Sequence, residues 1–175
     1  MPTRRQFLTA ASASASSWLL GRHLGAEETA KTRSGLSFGV QLYQVRDLIQ
    51  GDADGKKLGP VLKQIADIGY QSVETFPSLY NRSAKALRKQ IEDQGLQVHS
   101  GHFDYEGLEQ KIDFAAELGL NYMICPMIPQ KWWGTLDGFH QAADNFNQIA
   151  ARAKAAGLRF GYHAHNYEYL SLIHI

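Results

Sequence analysis

The sequence predicts an α/β fold, the N-terminal part of a (β/α)8 barrel with about five strands. Three observations carry that expectation. A pattern of amphipathic stretch, glycine and β-rich run recurs four times, polar residues crowd where the β-rich runs end, and no glycine-rich phosphate loop follows the first run.

Phe38–Tyr43 reads as the first strand. The first helix follows from the spacing of Leu58, Val61, Leu62 and Ile65, which makes one apolar stripe, and Gly69 stops it before a strand at Ser72–Glu74. Ala84, Leu87 and Ile91 mark the next helix, Gly95 its end and Val98–Ser100 the third strand. Leu108, Ile112 and Ala115 lead to Gly119 and a strand at Tyr122–Ile124. The longest stripe, Phe139, Ala142, Phe146, Ile149 and Ala153, ends at Gly157 before Phe160–Tyr162. Each of these glycines suits the left-handed position just past a helix. The period of roughly 25 to 40 residues is that of a βα unit.

An open doubly wound sheet is the competing architecture. It would more often carry Gly-x-Gly-x-x-Gly after strand one. Here Gln41, Gln44 and Arg46 follow the first strand, Glu74 ends the second, His102 and Asp104 the third, and His163, His165 and Glu168 the fifth. That distribution belongs to a barrel's catalytic face. A closed barrel takes about 250 residues, so the 175-residue chain is read as a fragment that would be inactive as it stands.

Neither end belongs to the expected fold. Thr3-Arg4-Arg5-Gln6-Phe7-Leu8 resembles a twin-arginine export signal, and a mild apolar stretch with Trp18, Leu19 and Leu20 follows. No acid occurs before Glu27, and Leu24 and Ala26 occupy the positions expected for cleavage after Ala26. Residues 1–26 are therefore read as a signal peptide, 27–35 as a linker and 36–169 as the partial barrel. The apolar stretch is short and Ser-rich for a membrane span, and no cysteine near the cut points to a lipid anchor. The expected location is the periplasm, reached through the twin-arginine export machinery. Residues 170–175, Leu-Ser-Leu-Ile-His-Ile, match a reading frame of a transposon adapter, so His174 is left out of the site.

Without the leader, the chain has 15 basic and 17 acidic residues. That balance argues against nucleic acid as a partner, because neutralising several phosphates takes a gathered basic face. Arg82, Lys85, Arg88 and Lys89 lie along one amphipathic helix and read as a solvated surface. Cys125 is the only cysteine, so it has no intramolecular disulfide partner, and it reads as a strand residue.

Phe160-Gly161-Tyr162-His163-Ala164-His165-Asn166-Tyr167-Glu168 is the densest chemical signal. In an extended chain His163 and His165 share one face, opposite Phe160, Tyr162 and Ala164. Two imidazoles and a carboxylate three residues on make half of a metal site.

Gly69 to Glu74 (Gly-x-x-x-Val-Glu), Gly95 to His102 (Gly-Leu-Gln-Val-His-Ser-Gly-His) and Gly161 to Glu168 (Gly-Tyr-His-Ala-His-Asn-Tyr-Glu), together with the leader, resemble the sugar phosphate isomerase/epimerase group of the xylose isomerase-like barrel superfamily. The resemblance spans about Phe38 to Tyr169. It implies one divalent metal, Mn²⁺, Mg²⁺, Co²⁺ or Zn²⁺, held by carboxylates and histidine from strands five to eight. Many relatives place a glutamate near where this chain has His163, and a histidine near His165. Glu168 is the carboxylate that stands in here.

The implied activity is isomerisation or epimerisation of a keto-sugar by proton abstraction next to a carbonyl, with the metal taking the charge on oxygen. Glu168, His163 and His165 are assigned to the metal or its surroundings. Glu74 and His102 are assigned to proton transfer or substrate hydroxyls, and Trp132 and Trp133, in the loop after strand four, to stacking on a small-molecule sugar. His99 is expected to pack against a helix or cap a loop. The alternatives are a keto-glycoside lyase or hydrolase on the same fold, an endonuclease-type phosphodiesterase with several zinc ions, and a non-catalytic sugar-binding barrel.

Overall fold

The computed structural model describes residues 37–52 and 55–169. The leader, the linker and the 170–175 tail lie outside the described residues.

Five strands form one parallel sheet: β1 (Gly39–Gln41), β2 (Ser72–Thr75), β3 (Gln97–His102), β4 (Tyr122–Cys125) and β5 (Arg159–Tyr162). Their order in space is their order in sequence, and every neighbouring pair is parallel. The sheet therefore winds in one direction only. A doubly wound sheet reverses its strand order at a switch point, and the described strands contain none.

The helices are α1 (Arg46–Ile49), α2 (Leu58–Ile68), α3 (Ala84–Glu92), α4 (Ile112–Leu118) and α5 (Leu136–Ala155). The stripes read from the sequence are the buried ones: Leu58, Leu62, Leu87, Ile91, Ala115, Ile149 and Ala153 are each at most 5% exposed. With Val73, Met123 and Cys125 from the sheet they form the core between sheet and helices. Gly69, Gly95, Gly119 and Gly157 all have φ between +72° and +110°, so the left-handed stop is met at all four. Ser83 and Thr135 cap α3 and α5 by accepting from Ala86 N and Gly138 N, each at 3.2 Å.

Three local features bear on the site. β1 stops at Gln41 because fully buried Leu42 opens a 3-10 turn. β3 carries a bulge: Val98 pairs with Val73 but Ser100 with Glu74, which leaves His99 unpaired. His99 is exposed and bonds Asn121 Oδ1 at 3.2 Å and Gln97 Oε1 at 3.0 Å, rather than packing against a helix. Finally, β5 ends at Tyr162, so His163, His165 and Glu168 stand on the loop that follows it.

The basic residues are largely paired. Lys85 reaches Glu117, Arg88 Glu92 and Lys89 Asp93. Arg82 departs from the solvated-surface reading, since its side chain is 15% exposed and lies 3.6 Å from the buried Asp52 carboxylate. No helix among the described residues is long and apolar enough to cross a membrane.

Candidate functional site

The carboxyl ends of all five strands open on a cavity of about 720 Å³, which Gln41, His102, Asp104, His163 and His165 help to line. The bulge at His99 matters here. It restores alternation so that Ser100 and His102 lie on Glu74's side while Gly101 turns toward the core.

Glu74 stands outside the lining of this cavity and ties together Gln41, Ser100 and His102. Its Oε1 accepts from Gln41 Nε2 at 2.5 Å and lies 3.2 Å from His102 Nε2, and its Oε2 accepts from Ser100 Oγ at 2.5 Å. Gln41 Nε2 also approaches His102 Nε2 at 3.0 Å. His102 is 9% exposed. Burial holds its imidazole below the usual histidine range; Glu74 pulls the other way, and His163 and His165 add to the lowering. The result is a neutral imidazole beside an anchored carboxylate, able to accept a proton at pH 7.

The three histidines form a row. The His102 and His163 ring centroids are 5.2 Å apart and those of His163 and His165 4.8 Å. His163 N donates to Cys125 O at 3.0 Å, which carries the ladder one step past β5. Nδ1 of His165 is buried without a hydrogen-bond partner. An orphaned buried nitrogen costs free energy, and it is the kind of donor that a bound ion or substrate hydroxyl satisfies.

Glu168 faces elsewhere. One oxygen accepts from Tyr162 Oη and the other from His165 N at 2.8 Å. These hydrogen bonds together hold its carboxyl below the usual range, although burial, the largest single influence, works against them. Tyr167 joins the same network: its Oη lies 2.6 Å from Tyr162 Oη and accepts from Ile128 N at 3.1 Å. Its ring is stacked on Trp133, at 4.2 Å and 11°, and lies nearly parallel to His165, at 5.9 Å and 14°.

Trp133 also donates Nε1–H to Ile128 O at 3.0 Å, and Trp132 meets Tyr105 edge-on at 5.3 Å. Both tryptophans cover a small satellite core around Ile128, Ala142 and Tyr167 and stand outside the cavity lining. Among the sequence-predicted residues, then, Glu74, His102, His163 and His165 come together. Glu168, Trp132 and Trp133 hold the loops behind them. Gln41 lines the cavity and Ser100 holds Glu74; their place as strand-end polar residues was the signal for them.

Among the described residues no group of three or more His, Cys, Asp or Glu side chains forms a metal set. The unpartnered Nδ1 of His165, beside the His163 ring, is the one feature of the pair that fits a cation ligand.

A parallel sheet wound in one direction, with carboxylate and imidazoles gathered over its carboxyl ends, defines a (β/α)-barrel protein whose site is on the top face. The chain belongs to the xylose isomerase-like TIM barrel family, whose model matches residues 62–174. Two solved structures, both sugar phosphate isomerase/epimerases from Parabacteroides distasonis, are similar. One is 24% identical with a TM-score of 0.59, covering 77% of this chain and 53% of the other. The second is 27% identical with a TM-score of 0.57, covering 75% and 56%. The chain thus spans about half the length of the structures it matches. No curated protein matches it.

Proposed function

We propose that the protein is a divalent-metal-dependent isomerase or epimerase of a keto-sugar, acting by proton abstraction next to a carbonyl. The observation that carries this reading is His102, which lines the cavity in a row with His163 and His165 and lies 3.2 Å from the Glu74 carboxylate. The family and the name of the 27% identical structure support the coarser part of this reading, a sugar isomerase or epimerase.

In this reading His102, kept neutral by burial, receives the proton. Glu74 holds the imidazole in place and steadies the cation that forms, while its own position is fixed by Gln41 and Ser100. Gln41 offers its amide to a substrate hydroxyl. His163 and His165 would hold the cation, and a bound divalent ion supplies positive charge beside a developing oxyanion. Glu168 keeps His165 in position through its backbone N–H. The motif at Thr3–Leu8 supports a periplasmic location, reached by the twin-arginine route after folding.

The test is solvent exchange. The full-length gene product, purified with its metal content measured, is incubated with keto-sugars in D2O, and deuterium at the carbon beside the carbonyl is followed by NMR. The reading expects one divalent ion per chain and exchange lost in His102→Gln. Wild-type protein that binds no divalent ion and exchanges no proton of any keto-sugar would refute it.

A further inference from the structure

We infer that the cavity has a second subsite at its mouth, built on Tyr43, for an aromatic group attached to the sugar. This rests on the sugar-site reading above and adds the substrate class: a glycoside with an aromatic aglycone. The cavity lining is mixed: Gln41, Gln44, His102, Asp104, His163 and His165 supply polar groups, and Tyr43, Phe76 and Met127 supply apolar surface.

Among the described residues Tyr43 is 47% exposed and Met127 44%, so both offer apolar surface at a concave site. Such surface, inside a cavity with a few convergent polar groups, is what a mixed polar and apolar ligand covers.

Nor is the Tyr43 ring loose. Phe76 meets it edge-on at 5.6 Å and 85°. The Arg46 guanidinium carbon sits 4.3 Å from its centroid, and Arg46 Nη1 donates to Tyr43 O at 3.0 Å. An aromatic ring held this way loses little freedom on binding, so stacking on it is inexpensive. The cavity, at about 720 Å³, falls in the range of roughly 300–1,000 Å³ that holds drug-sized ligands. A sugar at the polar groups leaves room for a second ring.

The experiment compares phenyl and methyl glycosides of glucose, galactose and xylose, and phenol alone, by calorimetry on the full-length gene product. For the best-bound sugar, the phenyl glycoside should bind about tenfold more tightly than the methyl, from the burial and stacking of one ring. Tyr43→Ala should cut that ratio below about threefold and Tyr43→Phe should keep it. A wild-type ratio near one, or a ratio that Tyr43→Ala leaves unchanged, overturns the aromatic subsite and leaves the sugar site standing. Methyl glycosides that fail to bind, with phenol bound and lost in Tyr43→Ala, overturn the sugar site and keep the aromatic one. Failure of every probe overturns both.

Discussion

Replacing Gly101 by alanine tests whether close packing behind the site sets its position. Gly101 lies between Ser100 and His102 on β3, with its α-carbon toward the core. A Cβ there would stand 2.5 Å from Thr75 Oγ1, 2.6 Å from Tyr80 Oη and 3.1 Å from Leu120 Cδ1. The first two atoms are bonded to each other at 3.0 Å and are buried, Thr75 at 0% and Tyr80 at 9% exposure. Tyr80 cannot easily yield, since its ring is stacked on Phe103 at 4.6 Å. Over-packing of this kind costs about 1–3 kcal/mol, and prising apart two buried hydroxyls adds about 1 kcal/mol or more. The expected loss is about 2–4 kcal/mol, which for a chain of this size lowers Tm by roughly 5–15 °C. Urea unfolding of Gly101→Ala, alone and with Thr75→Ala, measures it. Removing Oγ1 takes away the closest clash and the hydroxyl pair that would be prised apart but leaves Tyr80 Oη, so the substitution should cost less in the Thr75→Ala background. A single-variant loss below about 1 kcal/mol, or an equal cost in both backgrounds, would refute the argument.

Three further outcomes follow from buried groups. Asp52→Ala should destabilise by about 2–4 kcal/mol in urea unfolding, because its carboxylate accepts from Lys57 N at 2.8 Å and Leu58 N at 3.1 Å and faces Arg82. Burial pushes the Cys125 thiol up to about 11, so at pH 8 its alkylation in the native protein should be about a hundredfold slower than that of an unfolded control; equal rates would contradict its burial. His102 has a folded-state pKa below its unfolded value, so the folded state binds fewer protons and its stability contribution is lost as pH falls below about 6.5. His102→Gln should flatten the drop in urea midpoint between pH 7 and 5.5, and an unchanged slope would contradict the assignment.

What the sequence made legible is what local physics determines. Apolar spacing and the four stop glycines depend on neighbours a few residues away, and the helices and glycine φ values agree with them. The carboxyl-end placement of Gln41, Glu74 and His102 follows once the strands are placed. The bulge at His99 was not legible. Simple alternation from Val98 turns His102 toward the core, and only the skipped pairing with β2 brings it round to Glu74. The roles of Trp133 and Glu168 were hidden for a different reason. Trp133 is held by Tyr167, far along the chain, and Glu168 by a phenol and a backbone N–H, neither of which a side-chain motif reports.

Those hidden contacts explain how a loop carries a site that needs fixed geometry. Past Tyr162 the chain has one more ladder bond, from His163 N to Cys125 O, and no further strand among the described residues. Tyr167 ties the loop to the β4 side through Ile128 N and Trp133, and Glu168 closes it on itself through His165 N. The two buried positions of this loop network, Ile128 and Tyr167, belong to a small core separate from the main one. His165, nearly parallel to the Tyr167 ring, is therefore placed by this smaller core, against which Tyr105 and Phe146 pack as they do against the main one. The candidate site thus combines Glu74 and His102, which stand on strands, with His163 and His165, which stand on a loop, and the two halves meet where the His102 and His163 rings lie 5.2 Å apart.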